Sequence, residues 1–440
     1  MGSLPDFETT PVSSRISTVV PATPRGEENG AYQLNYMDLL MKLHYIRPVY
    51  FFSSEAVQGL TACDLKGPMF PLLDKYSHVS GRIRRSESGR PYIKCNDAGV
   101  RVAESHQEIT LREWFDENGY GVEGLAPDHV LGPDLAFSPL LFIKFTWFKC
   151  GGLSLGLSWA HVLGDAVSAF NFITKWSQIL AGNPPPKSLH ISNLSEPQFP
   201  TKSLNIEKPS IIKKTRIVGE FWLATNDNDV ATHTFHITSK QLQQLLTATN
   251  QTNNATKVEA SYFEIISALV WKCIAQISDG SGPRVVTICT SDSNRAENEF
   301  PSNGLVLSKF EASSAAGKSD VLKLAKLIAE KRTVENHAME KLVDEGEGKE
   351  DFIVYGANLT FVDLEEADFR GVKLNGHKPV MANCTFRGVG DQGVVLVLPA
   401  PEDGGGDGRI VTVSLPGKEL DQLKAKLEGE WGIICSRPGF

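Results

Sequence analysis

The segment His161-Val-Leu-Gly-Asp165 brings together the residue types of proton-transfer chemistry. An imidazole titrates near neutrality, so it can take a proton from an alcohol or amine as that group attacks a carbonyl carbon. Three intervening residues do not by themselves place the two side chains in a relay, and an aspartate at a helix start caps free amide groups. His161 is therefore read as the general base of an active site and Asp165 as structural support of that site. Gly164 supplies the backbone freedom that a sharp turn between them demands. The spacing alone is a weak pattern: His129-Val-Leu-Gly-Pro-Asp134 nearly repeats it with one residue inserted. A histidine satisfied inside the core at a strand end is the plain alternative.

The elements around the pair must present it at a junction. Between Leu140 and Ala160, Ile143, Phe145 and Trp147 alternate with Lys144 and Thr146, Gly151-Gly152 turns the chain, and Leu153, Leu155, Leu157 and Trp159 line the return strand. This is a β-hairpin pattern. The other parity of the return strand, Ser154, Gly156, Ser158 and Ala160, is small throughout and admits another backbone or a ligand at close range. After Gly164-Asp165 the apolar spacing turns helical, with Ala169, Ile173, Trp176 and Leu180 on one face, so the pair sits where a strand passes into a helix.

Upstream, the apolar run from Tyr36 predicts a short helix or turn and then a strand, with Pro48 marking the switch. Tyr76–Arg85 and Pro91–Cys95 read as strands joined by the turn 86–90. Pro184-Pro185-Pro186 ends the site helix and opens a polar stretch. The chain is accordingly divided into a first domain at 1–185 carrying the His-Asp motif, a crossover at 186–230, and a second domain at 231–440. In the second domain a strand near Thr232, a helix from Ser239 and a helix over 263–277 are expected, with Glu340–Asp351 as a solvated acidic loop and Gly404–Gly408 as a hairpin turn.

Two domains of roughly 200 residues suit the length of 440. A net charge of -8 and no clustered Lys/Arg stripe argue against a nucleic-acid partner. The start, Met1-Gly-Ser-Leu-Pro-Asp6, has the features of neither a signal peptide nor a myristoylation site. Lys144 and Lys149 interrupt the most apolar stretch, so no transmembrane segment is expected. Seven scattered cysteines without a C-x-x-C pair fit reduced thiols and supply no metal site. Phe142, Phe145, Trp147, Phe170 and Phe172 offer the apolar bulk of a tunnel, but are read as core.

Across nearly its whole length the sequence resembles the BAHD acyltransferase superfamily of plants. The resemblance is carried by Met37-Asp38-Leu39-Leu40 with His44 and Val49-Tyr50-Phe51, Val79 to Arg82 with Gly89-Arg90, Cys95-Asn96-Asp97 and Gly99, Ser158 to Asp165, and Ser261-Tyr262-Phe263-Glu264 with Ala268 and Trp271. It implies a chloramphenicol-acetyltransferase-like α/β fold: two related domains, each a mixed β-sheet with flanking helices, and a channel between them. It also implies acyl-CoA as substrate rather than a resident cofactor, with His161 reached from both sides of the channel.

Members of that family usually carry Asp-Phe-Gly-Trp-Gly followed by Lys-Pro. Here Asp368-Phe369-Arg370-Gly371 stands apart from Lys378-Pro379, and Lys373-Leu374-Asn375-Gly376-His377 precedes it directly. A lysine at the place of the family's loop-holding aspartate removes an ion pair and reverses the local charge. Gly356-Ala357-Asn358-Leu359-Thr360-Phe361 stands where many active members have a Trp and an Arg near the channel. Together with Lys149-Cys150-Gly151-Gly152 and Gly388-Val389-Gly390-Asp391, these segments resemble the Eceriferum/Glossy clade.

The clade implies cuticular wax biosynthesis and very-long-chain fatty acid elongation. In it the chain acts as accessory factor to the elongase condensing enzyme (3-ketoacyl-CoA synthase), at the cytosolic face of the endoplasmic reticulum, and is otherwise a monomer. The alternative is a catalytically active acyl-CoA-dependent acyltransferase with His161 as general base.

Overall fold

The computed structural model describes residues 15–24, 30–127, 137–187, 211–215, 230–250, 260–278, 282–291, 300–312, 315–388, 392–400 and 408–433. The near-repeat at His129–Asp134, most of the 186–230 crossover and residues 404–407 of the glycine cluster lie outside these.

Two large mixed β-sheets with flanking helices dominate the fold, beside a three-stranded and a two-stranded sheet. In the first, the strands run in the order Arg15–Val19, Val100–Gln107, Leu141–Phe148, Leu153–Ala160, His44–Phe52 and Met381–Gly388. The hairpin of 141–160 is antiparallel with Trp147 opposite Leu153, while Val100–Gln107 runs parallel to Leu141–Phe148. The second sheet orders Val230–Ile237, Arg409–Pro416, Val394–Pro399, Leu359–Asp363, Val285–Ser291, Leu305–Glu311 and Thr333–Val334, with parallel pairing on both sides of Leu359–Asp363.

The sheets do not keep to their own halves of the sequence. Met381–Gly388, far beyond the crossover, pairs antiparallel with His44–Phe52 and completes the first sheet. Asn383 on that strand donates to Thr234 Oγ1 at 3.0 Å and accepts from Thr412 Oγ1 at 3.0 Å, which stitches it to the second sheet.

There are two apolar cores, and the first draws on both halves of the sequence: Leu305, Phe369 and Leu396 pack in it with Leu155 and Phe170. The helix Ala166–Leu180 buries Phe170, Phe172, Ile173 and Trp176 in the first. Tyr262–Ile277, capped by the Ser261–Glu264 box, fills the second with Ile266, Leu269 and Trp271. Phe145 packs on Trp176, and Phe172 on Tyr76 and Trp159, so these aromatics are core. Phe142 and Trp147 are only half-buried.

Three local expectations need correction. The helix Tyr36–Met41 gives way to a strand that already begins at His44 and runs through Pro48 to Phe52, so the proline does not mark the switch. It is tolerated inside a sheet because the ladder to Leu153–Ala160 is interrupted at Arg47 and Pro48, where no N–H is required. Only Arg82–Arg85 of the expected strand 76–85 is extended; Val79 and Gly81 close turns instead. Residues 340–345 belong to a helix, Asn336–Glu345, whose Met339 and Val343 are buried, and Asp351 is a buried strand residue bonded to Lys42 at 2.7 Å. The acidic composition hid an amphipathic face.

Candidate functional site

The strand Leu153–Ala160 ends in a tight 3-10 turn, His161–Leu163, followed by Gly164 at φ +146°. A Cβ on Gly164 would stand 2.8 Å from Ser168 and 2.9 Å from the Ser302 nitrogen, so both the angle and the space require glycine. Trp159 Nε1 donates to the Gly164 carbonyl at 2.9 Å and pins the turn. The small parity upstream has the consequence expected of it: the Leu125–Ala126 backbone lies against Gly156, where a Cβ would be 2.1 Å from the Leu125 oxygen.

Asp165 begins the helix. Its Oδ1 accepts from the Ser168 amide at 3.2 Å as the N-cap, and its Oδ2 accepts from the Gly304 amide of the second half at 3.1 Å. The Asp165 amide donates to the Ser302 carbonyl at 3.2 Å, and Ser168 Oγ donates to the same carbonyl at 3.0 Å. The motif aspartate and its helix therefore hold the segment 302–304, and with it Asn303.

Asn303 faces His161. Its Nδ2 donates to the His161 carbonyl at 2.8 Å and to Asp38 Oδ1 at 2.9 Å, leaving Oδ1 as an acceptor 3.0 Å from His161 Nδ1. Because the His161 carbonyl has no proton to give, it can only accept from Nδ2, which fixes the amide orientation, and Nδ1 must carry the imidazole hydrogen. Nε2 then keeps its lone pair and accepts from the Tyr355 hydroxyl at 3.0 Å.

The site is dry. His161 is 1% exposed, and Tyr355 and Asp38 are buried with it. Burial lowers the His161 pKa to about 4 despite the raising effects of Asp165 and Asn303. Burial, with the nearby His161, takes His44 down to about 3. Burial also pushes the Asp38 carboxyl up to about 7, against the hydrogen bonds from Asn303 and the Asn35 backbone, and holds the Tyr355 hydroxyl protonated. The imidazole is thus neutral at physiological pH.

His161 and Asp165 are legible in the sequence; Asn303 and Tyr355 are not, and Asp38 and His44 stand out there only through family likeness. The one signal available was Asn35-x-x-Asp38, a capping-box pattern that the structure forms.

The departures from the family motif take definite places. Phe369 packs on Tyr50 and Phe170 in the first core, and Lys373 is exposed, so its charge is not introduced into the buried site. Gly356, at φ +86°, makes the turn that follows Tyr355. A cavity of about 390 Å³ opens between the halves, lined by Tyr120, Thr232, Thr234, Asn383 and Thr385 among others. Phe386, the neighbour of Thr385, packs edge-on against the imidazole, which places His161 on the opposite face of that strand from the cavity. Among the described residues no cluster of three His, Cys, Asp or Glu could hold a metal ion, and no helix is long and apolar enough to cross a membrane.

A histidine-bearing turn held across two mixed sheets is the arrangement of a BAHD acyltransferase scaffold, and the family model described as Transferase family matches residues 12–429. The chain belongs to that family. Within it, the chain is similar to Protein ECERIFERUM 2 of Arabidopsis thaliana, 40% identical over 96% of this chain and 99% of the relative. Protein ECERIFERUM 26-like of the same plant is 36% identical over 96% of each. Vinorine synthase shares the fold at a TM-score of 0.69 and 17% identity, covering 96% of this chain and 98% of that one. TRI101 of F. graminearum, complexed with coenzyme A and T-2 mycotoxin, does so at 0.67 and 16%, covering 92% and 98%.

Proposed function

We propose that this chain is an accessory factor of very-long-chain fatty acid elongation and cuticular wax biosynthesis, acting on the elongase condensing enzyme, a 3-ketoacyl-CoA synthase, without turnover of its own. The observation that carries this reading is the closure of the histidine: a base that must meet a substrate proton has Nδ1 on Asn303, Nε2 on Tyr355 and 1% of its surface exposed. Likeness to the ECERIFERUM proteins over nearly the full chain supports the wax assignment. The ligand class is very-long-chain acyl-CoA, held transiently or on the partner, and the site of action is the cytosolic face of the endoplasmic reticulum.

Co-expression of His161→Ala with a condensing enzyme, followed by acyl-chain analysis, tests it. Retained production of longer chains is the expected result. Loss of that production by a folded variant overturns it.

The second reading is an active acyltransferase, favoured by the tautomer: Nε2 retains the lone pair a general base needs. In that case His161→Ala lowers acyl transfer from acyl-CoA by about 10² to 10⁴ fold.

A further inference from the structure

Tyr355 is fully buried, its ring bounded by His44 at 4.7 Å, Phe386 at 5.0 Å and His161 at 5.6 Å between centroids. Its hydroxyl donates to His161 Nε2 at 3.0 Å. That is the atom and the distance at which a base receives the proton of an incoming hydroxyl. The backbone sets this placement from both sides. Val354 donates its amide to His44 Nε2 at 3.4 Å just before the ring, and the Gly356 turn follows it.

We propose that the Tyr355 side chain is the built-in occupant of a hydroxyl-recognition pocket at His161, and that removing its ring opens a binding site for a small phenol. The inference rests on the accessory reading and deepens it, because it names what keeps a substrate hydroxyl off the imidazole.

The test uses the full chain with Tyr355→Ala and free phenol, which restores the atoms the substitution deletes. Phenol should raise the melting temperature of the variant saturably and leave the wild type unmoved. Benzene, which lacks the hydroxyl, should bind about three- to tenfold more weakly, the range set by one net hydrogen bond. A folded variant that phenol does not stabilise, or one that binds benzene equally well, overturns the proposal.

Should the alanine variant fail to fold, Tyr355→Phe keeps the ring and removes only the donor. Its His161 Nε2 resonance should then move downfield in ¹⁵N spectra, and an unmoved resonance overturns the proposal. Acyl-CoA turnover by the wild type would sink the accessory reading alone, since the phenol titration reads the pocket independently.

Discussion

Asn303 Oδ1 lies 3.0 Å from His161 Nδ1 while the amide nitrogen of the same side chain is engaged by Asp38 and the His161 carbonyl. One asparagine from the second half thereby decides which nitrogen of a first-half imidazole carries the hydrogen. Replacing Asn303 with Ala leaves Nδ1 and the Asp38 carboxylate short of a buried partner, at a cost of about 1–3 kcal/mol in urea denaturation. Asp38→Ala combined with it should cost less than the sum of the two single changes. Strict additivity would show that the three groups are not coupled.

Asp38 also sets a pH signature. Its folded pKa of about 7 stands above the ordinary 3.8. The folded chain keeps this proton over a window in which the unfolded chain has released it, so raising pH from about 4 to about 7 lowers stability through this group. His161 and His44, held low, act in the opposite direction from their folded values to about 6.5. They are common to wild type and Asp38→Asn and cancel in the difference. The variant should therefore gain on the wild type as pH rises from 4 to 7, read from urea midpoints, and a flat difference would remove Asp38 from this role.

Gly164→Ala should destabilise by about 1–3 kcal/mol, because its φ of +146° is strained for any residue with a Cβ and the space is already filled by Ser168 and Ser302. A thermal melt matching the wild type would contradict the geometry of the turn.

For Asp165 the contrast between two substitutions is the measurement. Asp165→Ala removes the helix cap and the Gly304 acceptor and should cost about 1–2 kcal/mol. Asp165→Asn keeps one acceptor oxygen for Ser168 and should cost less. Equal losses would point to the charge rather than the cap.

Lys42 and Asp351, both nearly inaccessible, tie the helix Tyr36–Met41 to the strand that leads to Tyr355. Lys42→Met strands a buried carboxylate and should cost about 3–5 kcal/mol. Adding Asp351→Asn should recover part of the loss in chemical denaturation, and no recovery would mean that charge is not the cause.

What was legible in the sequence was what local pattern encodes. Alternation over 141–160 and helical spacing after Asp165 give the hairpin, the helix and the position of His161 at their junction, because side-chain periodicity follows directly from backbone geometry. Asn303 and Tyr355 lie 142 and 194 residues from His161, and nothing in Pro301-Ser302-Asn303-Gly304 or Val354-Tyr355-Gly356 distinguishes them from ordinary turns. Pro48 misled for a related reason. A proline in a sheet is excluded only where its N–H would be needed, and the neighbouring strands that decide this were contributed from residues 153–160 and 381–388.

That last pairing has a temporal consequence. On the ribosome, the first five strands of the leading sheet emerge long before Met381–Gly388 has been synthesised. At about 5–20 residues per second the edge of His44–Phe52 waits on the order of tens of seconds for its partner. During that interval an edge whose nine residues are all buried in the finished fold stands open to any other extended chain, so crowding, chaperone supply and codon usage between the two segments should govern the yield of correctly assembled protein.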